Sequence, residues 1–188
     1  PAIGKKPGQK YIGTWKMEPL TIAVLKALTP SDIETELFDD RLELIDYNTQ
    51  TDLVCISVET YTAKRSYTIA VKFRERGIPV VMGGYHATLC PEEVALYCDS
   101  VVVANAETVW QKLIFDLRNG ALQKYYYGET AEYNIRPDKS IFSGKKYLPV
   151  NLVETGRGCC HSCEFCAISK FYCSKYFARE LPKFYMSN

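Results

Sequence analysis

Cys159, Cys163 and Cys166 lie in the stretch Gly156-Arg157-Gly158-Cys159-Cys160-His161-Ser162-Cys163-Glu164-Phe165-Cys166. Thiols separated by three and then two residues can wrap one metal centre. No fourth ligand stands at the next regular step. A structural zinc site takes four protein ligands, whereas a catalytic site keeps one position open. Thiolates are also the preferred ligands of iron–sulfur clusters, whose potential follows charge, exposure and hydrogen bonds to sulfur. Gly156 and Gly158 allow a tight turn that brings amide N–H groups toward the sulfurs, and Arg157 offsets negative charge.

Two other ligand sets share the same residues. Cys160, Cys163 and Cys166 have ferredoxin-like spacing, but Lys170 stands where a fourth cysteine would follow. Cys159, Cys160, His161, Cys163, Cys166 and Cys173 could supply zinc ligands. Zinc knuckles usually pair two Cys-x-x-Cys units across a separating stretch, and no second unit exists here. His161 and Cys173 therefore read as bystanders.

The elements that must position this loop are legible upstream. With 188 residues, 47% of them apolar, the chain can bury a core. A net charge of +1 gives no reason to expect nucleic acid or a membrane surface as partner. No apolar run is long enough to span a bilayer, and no signal-peptide pattern opens the chain. Five of the eight cysteines cluster between Cys159 and Cys173, which suits a metal site in a reducing, cytoplasmic setting. The chain starts at Pro1 without methionine and ends on a partly apolar stretch, as expected of an internal piece of a longer protein.

Apolar runs of strand length alternate with segments of helical period. Thr35–Phe38, Leu53–Val58, Ile78–Met82 and Ser100–Val103 read as strands. Helices are expected over Glu18–Leu28, from Thr60 or Thr62 to about Arg76, over Pro91–Tyr97, and from Glu107 to about Arg118. Gly77, Gly83-Gly84 and Asn119-Gly120 mark the breaks. Tyr125-Tyr126-Tyr127 reads as an edge strand. Right-handed crossovers then give an α/β, doubly wound, Rossmann-like parallel sheet whose first strand should precede Pro1. The expected division is a sheet domain over 1–127, a linker over 128–146, and a second unit over 147–188. In that unit, Leu148–Glu154 reads as the strand delivering the cysteine loop.

Glu154-Thr155-Gly156-Arg157-Gly158-Cys159 followed by Cys163-Glu164-Phe165-Cys166 resembles the cluster loop of radical S-adenosylmethionine enzymes. The resemblance implies that Leu148–Glu154 is the first strand of a truncated β/α barrel. It implies a four-iron, four-sulfur (4Fe-4S) cluster on Cys159, Cys163 and Cys166, with S-adenosylmethionine on the fourth iron and Phe165 beside the adenine. Cys160 departs from that pattern. Ser57-Val58-Glu59-Thr60, the stretch Gly83-Gly84-Tyr85-His86-Ala87-Thr88-Leu89-Cys90-Pro91-Glu92-Glu93 and Ala106-Glu107 resemble the cobalamin-binding domain that precedes many such enzymes. By that resemblance Ser57, Gly83 and Gly84 line a cobalamin pocket. The Asp-x-His-x-x-Gly segment that supplies a lower axial histidine is absent, so cobalamin is expected without a protein histidine ligand. Methylthiotransferases, another related branch, need three cysteines in this domain and an early Gly-Cys-x-x-Asn segment, which is absent. Cys55, Cys90 and Cys98 therefore read as ordinary core or surface residues, and His86 as a polar loop contact.

The expectation is a fragment of a cobalamin-dependent radical S-adenosylmethionine enzyme, inactive on its own. Its cluster would cleave S-adenosylmethionine to a 5′-deoxyadenosyl radical for methylation or rearrangement at an unactivated carbon. It implies an electron donor such as flavodoxin or ferredoxin and a small-molecule or peptide substrate. The opposed readings are a non-catalytic α/β module with a zinc-binding tail, and a radical enzyme whose first domain has lost cobalamin.

Overall fold

Residues 17–129 and 135–179 are described by the computed structural model. The apolar runs form four parallel strands: β1 (Val54–Ser57), β2 (Val80–Gly83), β3 (Ser100–Val103) and β4 (Tyr125–Tyr127). They lie side by side in that order, with Ile56 opposite Met82, Met82 opposite Val101, and Val101 opposite Tyr125. Successive side chains on a strand point to opposite faces, so an apolar run must be covered on both. On one face Ile56, Val80, Met82 and Val101 pack against α2 (Ala63–Arg74), α3 (Tyr85–Leu89) and α4 (Pro91–Ala95) through Tyr67, Phe73, Ala87 and Val94. On the other, Val81, Val102 and Tyr126 pack against α5 (Trp110–Arg118), with Leu25 and Leu28 of α1 (Leu20–Leu28) alongside. The α/β class with helices on both faces is therefore as the periodicity predicts.

Two features of the topology depart from expectation. The sheet grows in one direction while α2 and α3–α4 cover one face and α5 the other. The β3–α5–β4 connection consequently has the opposite hand to the two before it, so the crossovers do not share one hand. The order β1-β2-β3-β4 also contains no reversal, so no topological switch point lies between described strands.

Thr35–Phe38 is not a strand. The acidic pair that follows it is buried and held by ion pairs instead. Asp40 takes a two-pronged contact from Arg65 of α2, at 3.0 and 2.9 Å. Asp39 accepts from Arg41 and, at 2.7 Å, from the Tyr147 hydroxyl. The helix expected over Pro91–Tyr97 is preceded by an unanticipated α3. Cys90, at φ −134° and ψ 55°, separates the two where Pro91 bars a continuous helix.

Residues 139–142 form a short 3-10 turn beside α1 with Phe142 buried, and Asp138 N–H donates to Ala23 O at 2.9 Å. Leu148–Glu154 does not form the expected strand, and Leu148, Val150 and Val153 are exposed. The strand instead starts later, as β5 (Gly156–Gly158), and pairs antiparallel with β6 (Tyr176–Ala178) around α6 (Ala167–Phe171). No parallel barrel strand is seen there among the described residues.

Candidate functional site

The four parallel strands end at Ser57, Gly83, Val103 and Tyr127, and the segments leaving them share one edge. Open α/β sheets place ligands at that edge. Gly84 sits there at φ +101°. Val58 N–H donates to Gly83 O at 2.8 Å, and His86 N–H to Val58 O at 3.1 Å. A Cβ on Gly84 would lie 2.8 Å from Val58 O, 3.0 Å from Val58 N and 3.3 Å from Ser57 Oγ. The close approach that Gly84 permits is therefore to the protein's own backbone. Gly83 is different, since a Cβ there meets Val102 at an ordinary 3.5 Å. Ser57, Gly83 and Gly84 are thus brought together, as a crossing of the β1 and β2 exits.

The cysteine loop docks against this edge. Arg157 Nη1 reaches Glu107 Oε1 at 2.7 Å, and its Nε pairs with Glu154. The Tyr85 and Phe171 rings lie 4.7 Å apart, tying α3 to α6. Burial raises the Glu154 carboxyl above the ordinary glutamate range, against the opposing pull of Arg179. It also raises the Tyr85 and Tyr172 phenols. Cys159 N–H donates to Lys175 O at 3.0 Å, Cys166 N–H to Cys163 O at 3.1 Å, and Ser169 Oγ–H to Cys166 O at 2.8 Å. The glycines beside Arg157 serve the strand pairing. A Cβ on Gly158, at φ +84°, would lie 2.1 Å from Lys175 O, and one on Gly156 would lie 2.9 Å from Phe177 O.

Cys159 and Cys166 are half-buried, while Cys160, Cys163 and Cys173 are exposed. Phe165 is 92% exposed. The three loop thiols are close in sequence but are not gathered to within 4.8 Å of one another. Among the described residues, that condition is met by His86, Cys90 and Glu93. From the sequence alone His86 reads as a polar loop contact and Cys90 as an ordinary residue; the break at Cys90 between α3 and α4 is what brings them to Glu93.

No protein-family model matches the chain. Over 173 residues it is 32% identical to bacteriochlorophyllide d C-8(2)-methyltransferase of Chlorobaculum tepidum, covering 84% of this chain and 37% of that protein. It is 28% identical over 137 residues to the C-12(1)-methyltransferase of the same organism, covering 69% of this chain and 30% of the relative. An uncharacterized methyltransferase of Pyrococcus horikoshii is 25% identical over 186 residues, covering 80% and 40%. The chain thus spans about 40% or less of the length of these relatives. The N-terminal domain of a hypothetical Thermotoga maritima protein aligns structurally over 63% of this chain and 99% of that domain, with TM-score 0.42 and 19% identity.

These relatives support a methyltransferase family. They overturn the expected assignment to a cobalamin-dependent radical S-adenosylmethionine enzyme. The radical, iron–sulfur and cobalamin readings are corrected accordingly, as are the rearrangement chemistry and the zinc-stapled, non-catalytic alternative. No helix among the described residues is long and apolar enough to cross a membrane.

Proposed function

We propose that this chain is the α/β portion of an S-adenosylmethionine-dependent C-methyltransferase acting on a chlorophyllide-type macrocycle. The observation that carries the reading is 32% identity across 84% of the chain to an enzyme named for methylating bacteriochlorophyllide d at C-8(2). Identity extends to a second such enzyme, named for C-12(1). In the reaction the acceptor carbon forms its C–CH3 bond as the sulfonium S–CH3 bond breaks. S-adenosylhomocysteine leaves, and the proton of the acceptor C–H passes to a base or to solvent.

The molecule supplies surfaces suited to a flat, apolar acceptor. Phe165, Leu148, Val150, Val153 and Ile168 expose apolar area in the unit that carries the thiols. Large apolar ligands are held by such surfaces and oriented by a few polar groups. Phe165 is assigned as a stacking residue. Cys159, Cys163 and Cys166 are assigned as thiol donors to a thiophilic metal, drawn together when it binds. Ser57, Gly83 and Gly84 form the wall of the site at the strand edge.

The test is methyl transfer by the full-length polypeptide from methyl-labelled S-adenosylmethionine to bacteriochlorophyllide d. The expected product carries one labelled methyl group, and S-adenosylhomocysteine accumulates in equal amount. Binding of the pigment with no labelled product would overturn the reading.

A further inference from the structure

The residues that do converge lie at the α3–α4 corner facing Tyr67 of α2, and the geometry points to a zinc-class divalent cation site made by His86, Cys90 and Glu93. Their ligand atoms all lie within 4.8 Å of one another. His86 Nε2 and Glu93 Oε1 are 3.6 Å apart, too long for a hydrogen bond. Two ligands at about 2.0–2.1 Å from a tetrahedral zinc are themselves about 3.3 Å apart, so this pair needs to close by only a few tenths of an ångström. Thiolate, imidazole and carboxylate are all zinc ligands, and three of them leave a fourth position for water.

The surroundings are also those of a metal site. His86 is buried and Cys90 half-buried, while the Glu93 side chain is 53% exposed and gives the ion an entry path. The Tyr67 hydroxyl donates to Glu93 Oε1 at 2.8 Å and so orients the carboxylate. Tyr67 is itself held by a ring stacked on Tyr97 at 3.9 Å. On the far side of the imidazole, Nδ1 faces Thr60 Oγ1 at 3.3 Å. Histidine ligands characteristically donate their second N–H to such a partner.

Metal entry is a proton-balanced exchange. In the metal-free protein Tyr67 gives its one proton to Glu93, so toward His86 Nε2, at 3.1 Å, it can only accept. His86 then carries its proton on Nε2. Binding moves that proton to Nδ1, where it is donated to Thr60, and the Cys90 thiol proton is released to solvent. The consequence is a clamp that ties α3 to α4 across the break at Cys90. The loop thiols play no part in it.

Cobalt(II) titration tests this in the chain with Cys159, Cys160, Cys163, Cys166 and Cys173 replaced by serine. One equivalent should bind with a thiolate-to-cobalt charge-transfer band, one proton should be released, and the His86 nitrogen resonances should exchange tautomer. Cys90→Ser should abolish the band, and Glu93→Gln, at an exposed side chain, should weaken binding while circular dichroism stays unchanged. Thr60→Val should weaken it by about 10-fold or more. A band that survives Cys90→Ser, or no band in the parent, overturns the proposal.

Discussion

Around the parallel sheet, Val58, Val80, Met82, Val101 and Leu113 are wholly enclosed, whereas the thiol-bearing unit buries only Ser169 and Tyr172 among its described residues. The first region is held by apolar area on both faces of a sheet. The second is held by a two-strand pairing, an arginine between two carboxylates and a few ring contacts. An isolated two-stranded pairing is marginal in water. The contrast teaches that the sheet is a scaffold in its own right, while the thiol unit depends on what it docks against.

The largest effect should come from Gly84→Val. The side chain would meet Val58 backbone within van der Waals limits and occupy a left-handed conformation, at a cost of about 4 kcal/mol. Gly77→Ala makes the control, because φ is +75° there but a Cβ meets nothing within 4 Å, so roughly 1–2 kcal/mol is expected. Denaturant unfolding of the two variants separates crowding from backbone strain, and equal losses would remove the crossing at Gly84 from the account.

Asp40→Asn should follow at about 2 kcal/mol, since the carboxylate is buried but Arg65 is one-third exposed and partly screened. The same unfolding measurement reads it, and a loss below about 0.5 kcal/mol would mean the 35–41 segment is held by something else.

Arg157→Ala tests the dependence of the thiol unit directly. Hydrogen exchange across 154–179 should rise by about tenfold, while β1 to β3 stay protected. Equal loosening of both regions would show that they unfold together.

Acid provides the next test. Burial alone would raise the Asp39 carboxyl, but the hydrogen bonds from Arg41 and Tyr147 outweigh it and hold Asp39 below the ordinary aspartate range. A depressed carboxyl contributes stability above its unfolded pKa and loses it as pH falls through the folded one. Stability should therefore decline from about pH 4 downward, and Asp39→Asn should flatten that limb in a pH-resolved denaturation series. An unchanged limb would show that other carboxylates account for it.

The smallest structural effect belongs to Phe165→Ser, within about 0.5 kcal/mol because the ring is in solvent. Its consequence should appear in pigment binding, measured by absorbance titration of the full-length protein. Unchanged affinity would remove Phe165 from the acceptor surface.

Much of the sheet was legible because burial on both faces leaves continuous apolar runs. Ser100–Val103 is a strand to the residue, and Val80–Gly83 lies within two residues of its expected end points. Thr35–Phe38 misled because its pattern is that of a strand, while the chain there is pinned by Asp39 and Asp40 to partners far away in sequence. Leu148–Glu154 misled for a related reason. An apolar run becomes a strand only where a neighbour offers hydrogen bonds, and β6 pairs with the glycine-flanked Arg157 instead.

The candidate site divides the same way. Sequence by itself determined that the chain is α/β, that its strands alternate with helices, and that thiols gather in one short loop, because periodicity and spacing are local properties. Tertiary structure decided where those groups meet. It set the opposite hand of the last crossover, filled the space beside Gly84 with backbone, and left the loop thiols apart. It also closed His86, Cys90 and Glu93 to within 4.8 Å against Tyr67. Convergence of side chains depends on how helices pack across a sheet, and no local pattern encodes that distance.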